Sequence, residues 1–399
     1  MDVSAVIGAN FGDEGKGVIT DALACRRPDA VVVMTNGGAQ RGHTVVHAPT
    51  GKKHMFHHFG SGTFRGCATY FPETFILNPM QFVKEYWELV DDFGVSNLVS
   101  VRHNRCWFST PFDMILNQDI ERWRKSKEKG YGTCGMGIWE TIVRCGHPKF
   151  NPYSGLTLFN LAPHEDKVAY LTSIRDKYCP ARYKSMTGKD WAPEDWVFSD
   201  GLIEHYINDV AFMCSVCPEE GDKEYAFLAK QDNLIFENGQ GLLLDDEYGA
   251  CDTIYATPSK TGMRNVGMIL KALTSNYDVA LRRLDAYYVS RPYATVHGPS
   301  VIRKASKSCV PTHIADESES NKKNEFQGSF DEATFDQKEQ AATIKQDMKT
   351  YLRPIRASMK TATLAYTHLD QSSPQLMLFP DVAECGTAEG GKEVKGLKW

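Results

Sequence analysis

The tightest constraint on this chain lies at its start, where the apolar run Val3 to Ile7 passes directly into GANFGDEGKG, Gly8 to Gly17. A short apolar strand running into glycines and a lysine reads as a phosphate loop, followed here by a helix from about Val18 to Arg26. Gly12, Gly15 and Gly17 let backbone N–H groups turn toward an anion, Lys16 supplies a point charge, and the helix start adds its positive end. The Walker pattern places a serine or threonine after the lysine to hold Mg2+; here that place is Gly17. The loop carries Asp13 and Glu14 instead. An acid inside a phosphate cradle costs Coulomb repulsion unless a metal or a proton transfer uses it, which marks Asp13 as a Mg2+ ligand, a base, or both. The plain alternative is a glycine turn with solvated acids.

A second apolar run, Ala30 to Met34, ends in TNGGAQRGHT, Thr35 to Thr44. Two glycine loops, each leaving a short apolar strand, suit a parallel sheet whose ligand lies across the strand ends. His43, flanked by Gly42 and Thr44 beside a phosphate loop, is placed to offset charge on a transferred phosphoryl group, with Asp21 in the first helix as the group to orient it. His54, His57 and His58 fall in an alternating segment that would send them to different faces, so they read as structural or solvent-facing. Further along come a strand and helix over 74–92, a strand near 98–101 and an amphipathic helix over 110–129. That helix leads to a third glycine loop, Gly130 to Gly137, with Thr133 in it and Arg144 after it.

Between 151 and 230 the chain is polar and aromatic and offers helical patterns near 163–177 and 200–213. Asn233 to Phe236 reads as a strand opening into ENGQG, which presents the Gln240 amide at the ligand edge of the sheet. A helix over 263–274, a strand over 286–290 ending at Arg291, a charged loop over 304–326, a helix over 336–359 and a strand over 363–366 complete the pattern, with Asp370 just past the last strand and a small-residue turn at Cys385-Gly386-Thr387. The expected architecture is α/β: one domain over 1–399 with a large, mostly parallel central sheet, a helical excursion at about 110–230 and a polar loop at about 304–330.

Composition narrows the class. With 399 residues, 42% of them hydrophobic, the chain can bury a large core. A net charge of −5 gives no basic footprint, so nucleic acid is not an expected partner. No apolar stretch approaches the ~20 residues of a membrane span, and the start lacks a signal pattern, so the expected location is the cytoplasm, away from membranes. The 11 cysteines, an odd number in such a chain, read as free thiols, including the lone CxxC pair Cys214 and Cys217.

Taken together, GDEGKG at 12–17, GG-x-x-x-GHT at 37–44, GTCGMGI at 132–138 and FENGQGLLLD at 236–245 resemble adenylosuccinate synthetase in order and spacing. The resemblance implies a homodimeric Mg2+-dependent ligase. In that chemistry GTP phosphorylates the 6-oxygen of a purine nucleoside monophosphate, and the amino group of L-aspartate displaces the phosphate. It further implies that Asp13 deprotonates N1 and ligates Mg2+ with the Gly42 carbonyl, that His43 stabilises the transferring group, and that Gln240 binds the activated oxygen. The remaining nucleotide contacts would be Gly12, Glu14, Gly15, Lys16, Gly17 and Thr44, with Asp370 and Gly386 around the donor base. Thr133 would hold the monophosphate, and Arg144 would reach the phosphate bound in a partner subunit.

The departures are informative. The family usually has Asn-Ala-Gly-His where this chain has Gln40-Arg41-Gly42-His43, and an arginine-rich acid-binding loop where it reads QGSFDEATFD, with Gln327 and Ser329 as the expected substrate contacts. With no arginine in that loop, Arg291, Arg303 or Lys304 would hold the dicarboxylate, or the amine acceptor differs. His368 stands for the family's base-reading lysine, leaving GTP or ATP as donor. Altered substrate loops on an intact phosphoryl core resemble the phage-type branch that uses dGMP in place of IMP. A non-catalytic nucleotide-binding homologue is the alternative in another class, and the joint presence of Asp13, Lys16 and His43 argues against it.

Overall fold

The computed structural model describes residues 1–127, 130, 132–150, 162–221, 223–248, 257, 259–297, 326, 330–333, 337–368, 385–388 and 391–394. Its strands, in chain order, are β1 Asp2–Gly8, β2 Val31–Met34, β3 Gly37–Gly38, β4 His43–Val46, β5 Lys53–Phe56, β6 Ala68–Phe71, β7 Phe75–Ile76 and β8 Ser100–Arg102; then come β9 Asn233–Gly241, β10 Arg283–Ser290, β11 Ala294–His297, β12 Phe330–Ala333, β13 Met359–Tyr366, β14 Cys385–Ala388 and β15 Gly391–Val394. Seven of them pair in parallel in the order β13-β10-β1-β9-β2-β6-β8, and β15 and β14 extend the β13 edge antiparallel. This is the expected α/β class with a mostly parallel sheet.

Why these short runs become central strands follows from their two faces. Val6, Val32, Met34 and Ile235 join one buried cluster, whereas Val3, Ala5, Ile7, Val31, Val33, Leu234 and Phe236 join the other. The period is two, and apart from Ser4 of β1 and the polar end of β9 the buried positions on both faces are apolar, as a parallel sheet covered on both sides requires. Helices α1 Lys16–Arg26, α2 Pro79–Asp91 and α3 Pro111–Lys125, together with Asp200–Val216, supply residues to the first cluster. The helices Met263–Tyr277 and Gln337–Asp347 supply the second. Each fully buried Phe, Leu or Ile, such as Phe82, Phe112 and Leu270, contributes about 1.5–3 kcal/mol.

Strands β1 and β2 are consecutive but not adjacent, because β9 returns late in the chain to lie between them. The chain winds outward through β2, β6 and β8 on one side and through β10 and β13 on the other. The carboxyl ends of β1, β9 and β2 therefore meet where the winding reverses, the place at which open α/β sheets bind ligands.

Several boundaries differ from the sequence reading. The run 74–80 yields only β7, because Asn78 accepts from the Gln81 N–H at 3.1 Å and Pro79 opens α2. The helix expected over 336–359 ends at Asp347 and continues as a wider turn over Met348–Leu352. Cys385 to Ala388 is a strand, not a turn. Strand β6 has no counterpart in the sequence reading: four residues, ATYF, are too few to show a period.

Helix α3 opens on a capping box, Thr110 Oγ1 accepting from the Asp113 N–H and Asp113 Oδ2 accepting from the Thr110 N–H. Asp113 also accepts Nε and Nη2 of Arg144, each at 2.8 Å, and Arg144 donates further to the Tyr170 hydroxyl and the Phe108 carbonyl. Both partners are buried, and the pair fastens α4, Ile138–Cys145, to α3. This corrects the expectation that Arg144 reaches a phosphate in a second subunit, since its guanidinium is engaged inside its own. Arg144→Leu is expected to cost about 3–5 kcal/mol of stability, the scale of a buried charge deprived of its partner, and adding Asp113→Asn should recover part of it. Equilibrium urea unfolding measures both; a loss below about 1 kcal/mol in the single variant would mark the pair as energetically minor.

Candidate active site

The loop after β1 turns on residues in left-handed backbone conformations. Asp13 has φ 59° and Gly12 and Gly15 have 121° and 83°, while on the neighbouring strand Gln240 has φ 61°. Two non-glycine residues in this region at one sheet edge are a costly arrangement, and such strain concentrates at ligand sites. Inside the loop Glu14 is turned inward. Its Oε1 accepts from the Asn10 and Gly12 N–H groups at 3.0 and 2.8 Å, and its Oε2 accepts from Lys16 Nζ at 2.7 Å. The Glu14 side chain, expected among the nucleotide contacts, thus staples the loop: as a buried carboxylate it takes up N–H groups a phosphate would otherwise receive, together with one donor of the Lys16 ammonium.

Gly17 now has a physical reason. A Cβ there would lie 2.9 Å from His43 Cβ and 3.1 Å from Ser61 Oγ, so the second loop packs on the start of α1 only if this position is glycine. A Walker hydroxyl and this histidine cannot share the space. On the far side, a Cβ at Gly15 would meet Thr367, whose hydroxyl donates to the Glu14 carbonyl at 2.6 Å; His368 follows with φ 54°.

His43 begins β4, and the carboxylate it touches is Glu237 of β9, not Asp21. The Nδ1–Oε1 distance is 2.5 Å, whereas Asp21 accepts Nε and Nη2 of Arg65 at 2.8 and 2.7 Å. Glu237 lies in the middle of the sheet opposite Val6 and Met34. It also receives the Ser61 N–H at 2.9 Å, the Ser61 hydroxyl at 2.5 Å and Arg41 Nη2 at 2.9 Å. Burial alone would raise its pKa, but Arg41 and His43 more than offset that and hold it at about 2. His43 is pushed down to about 4, first by burial and then by the Arg41 guanidinium. It is therefore neutral at physiological pH, beside a carboxylate already balanced by an arginine.

A second buried carboxylate, Glu85 of α2, accepts the N–H groups of His57, His58 and Phe59 at 3.0, 2.7 and 3.3 Å. His54 and His58 are both buried against it rather than sent to different faces, so the structural reading holds while the geometric reason for it does not. Among the described residues no group of three His, Cys, Asp or Glu could hold a metal. Cys214 and Cys217 are free thiols packed near Arg102.

Around this centre lie the other expected groups. Gln40 Oε1 and Gln240 Oε1 are buried and have no partner. Arg291 donates from Nε to the Asp13 carbonyl at 2.5 Å and from Nη1 to the Tyr293 hydroxyl at 3.1 Å, fixing the phosphate loop from β10. Thr133 sits in the third glycine loop, its hydroxyl donating to Asn117 Oδ1 at 3.1 Å, and Thr44 follows His43 in β4. Gly386 is in β14, at the far edge of the sheet. Gln327, Ser329 and Asp370 lie outside the described residues, as do Arg303 and Lys304. The functional groups missed in the sequence are Glu237, Arg41 and Ser61. A charged residue in the apolar stretch LIFENGQG was the available signal for the first.

The adenylosuccinate synthetase family model matches residues 5–302. The adenylosuccinate synthetase of Picrophilus torridus is 28% identical over 269 residues, 66% of this chain and 58% of that protein. That of Salinibacter ruber is 28% identical over 269 residues, 63% of this chain and 55% of that protein. The chain thus spans little more than half the length of these curated relatives. Among solved structures, the fully ligated adenylosuccinate synthetase from Plasmodium falciparum superposes with a TM-score of 0.55 at 21% identity, over 74% of this chain and 63% of that one. The succinoaminodeoxyadenylate synthetase of cyanophage S-2L, bound to dGMP and dATP as an energy donor, gives 0.52 at 13% identity over 92% and 93%. At these identities the structures share a fold. No helix among the described residues is long and apolar enough to cross a membrane. Because the family model takes in the phosphate loop, the His43 loop, the third glycine loop and the Gln240 strand, the chain belongs to the adenylosuccinate synthetase family.

Proposed function

We propose that the protein is a C–N ligase that acts on a purine nucleoside monophosphate, with a nucleoside triphosphate as energy donor and L-aspartate as amine, and works as a homodimer. The observation that carries the reading is the convergence at one sheet edge of Asp13, held in a left-handed conformation, Lys16, the His43–Glu237 pair and the unpartnered Gln240 amide oxygen. Each answers a need of phosphoryl transfer to a carbonyl oxygen. Asp13 removes the N1 proton, which moves charge onto the 6-oxygen so that it attacks the γ-phosphorus and releases the nucleoside diphosphate. Lys16 lies where charge on the transferring group must be offset, and His43, neutral without ligand, would join it by taking up a proton as the phosphates bind. The aspartate amine then bonds to C6, phosphate leaves with the 6-oxygen, and the nitrogen sheds a proton to become the secondary amine while N1 stays unprotonated. Asp13 and the Gly42 carbonyl form an all-oxygen donor set that suits Mg2+, a hard cation that takes few protein ligands and completes its shell with phosphates and water. When bound, Mg2+ neutralises the donor phosphates. GTP is the family's donor, and ATP is the alternative because His368 stands at the base-reading position.

For the substrate we infer guanine rather than hypoxanthine. An exocyclic 2-amino group brings donors that require an acceptor, and Gln40 Oε1 is a buried acceptor without a partner in the loop that departs from the IMP-using pattern. QGSFDEATFD offers the aspartate carboxylates no arginine, and among the described residues Arg291, just past β10, is a guanidinium beside the site.

Asp13→Asn should keep nucleotide binding and lose turnover by ~100-fold or more, the scale of a positioned general base. Calorimetric binding alongside phosphate-release kinetics tests this, and near-normal turnover would remove Asp13 from the chemistry. With aspartate and donor saturating, kcat/KM for dGMP or GMP should exceed that for IMP, and Gln40→Leu should erase the difference. An IMP preference of tenfold or more, about 1.4 kcal/mol, would overturn the guanine reading.

A further inference from the structure

The third glycine loop is held by one face of α3. Asn117 Oδ1 accepts the Thr133 hydroxyl at 3.1 Å, Gln118 Nε2 donates to the Gly135 carbonyl at 3.1 Å, and Glu121 Oε1 accepts the Gly132 N–H at 2.8 Å. These residues and Arg122 stand at i, i+1, i+4 and i+5, a single stripe of the helix. The stripe continues onto a residue from far along the chain: the Arg122 guanidinium lies 5.1 Å from the centroid of the Phe326 ring. That ring presses on the loop itself. A Cβ at Gly135, whose φ is +76°, would lie 2.9 Å from Phe326 Cδ2 and 3.3 Å from Cγ. Loops rich in glycine lose more entropy on ordering than others, so a contact that fixes one in advance lowers the cost of binding.

We propose that Phe326 is a positioning residue for the nucleoside monophosphate: set between the Arg122 guanidinium and the backbone of Gly135, it holds the loop of Gly132 to Gly137 in its binding shape. This deepens the ligase reading and rests on it. A cation–aromatic contact with an apolar face on a bare glycine uses both properties of the ring, its π face and its bulk. In sequence the residue after this wedge is Gln327, the first of QGSFDEATFD.

The test compares Phe326→Ala and Phe326→Leu with the wild-type protein, by hydrogen exchange without ligand and by steady-state kinetics with IMP, GMP and dGMP. Phe326→Ala should speed exchange at 132–137 by tenfold or more while the helices Asp200–Val216 and Met263–Tyr277 keep their protection. It should raise KM for the monophosphate about tenfold with kcat within about threefold, a loss of binding rather than of chemistry. Phe326→Leu, which keeps apolar bulk, should restore much of both. Unchanged exchange at 132–137, protection lost equally throughout the protein, or an unchanged KM would each overturn the proposal. Wild-type protein that turns over none of the three monophosphates would sink the ligase reading instead, and the exchange comparison would still decide whether Phe326 holds the loop.

Discussion

A carboxylate in the middle of a parallel sheet is the constraint around which this site is built. Glu237 has sheet neighbours on both sides and is fully buried, and a lone carboxylate there would cost several kcal/mol. The remedy is local and complete: one guanidinium, one imidazole, one hydroxyl and one backbone N–H, drawn from two segments of the chain. Because Arg41 already balances the charge, His43 has little electrostatic reason to protonate, and burial removes the rest. The site therefore presents a neutral imidazole whose ring is fixed by an ion pair behind it. Glu85 extends the same logic one layer out. By collecting the N–H groups of residues 57–59, it sets the backbone just ahead of Gly60 and Ser61, and so delivers the Ser61 N–H to Glu237.

Close approach, more than flexibility, explains the glycines. Added Cβ atoms at Gly8 and Gly241 would strike Glu14 oxygens at 2.5 and 2.7 Å, and at Gly17 one would strike His43. The backbone of β1, the end of β9 and the start of β4 are packed against buried side chains that carry the charge. The positive φ at Gln240 belongs to the same compression, since Gln240 stands where β1 and β9 lose register between Val6 and Gly8, while that at Asp13 falls in the loop beyond β1. What looks in sequence like three flexible loops is a dense, charged layer with its strain held by the sheet below.

This also explains which parts of the molecule were legible in sequence. Runs such as AVVVM and LIF declare buried strands because both sheet faces are apolar, and GDEGKG declares a phosphate loop because glycine, acid and lysine are rarely brought together otherwise. β6 escaped because four residues carry no period. The sequence offers Asp21 as the group to orient His43, whereas the partner is Glu237, because a parallel sheet brings together strand ends that lie far apart in the chain. The sequence pattern says nothing about which acid of an adjacent pair turns inward, and in the structure it is Glu14. The resemblance points Arg144 outward, and in the sequence only the capping-box pattern at Thr110 and Asp113 hints at an acid for it inside.

The two departures in the second loop, Gln40 and Arg41, are adjacent in sequence and opposite in effect. Gln40 leaves an amide oxygen without a partner, which is a cost unless a ligand donor meets it. Arg41 points the other way, into the sheet, where its guanidinium joins Glu237 and His43 and lies against Met34 Sδ. In the Asn-Ala-Gly-His pattern the residue at Arg41's place carries no charge, so there the imidazole would be the cation available to the buried carboxylate. Here that role has passed to a side chain that cannot give up its proton. A change that reads as an altered substrate loop thus reaches the charge balance around His43 and Glu237 as well.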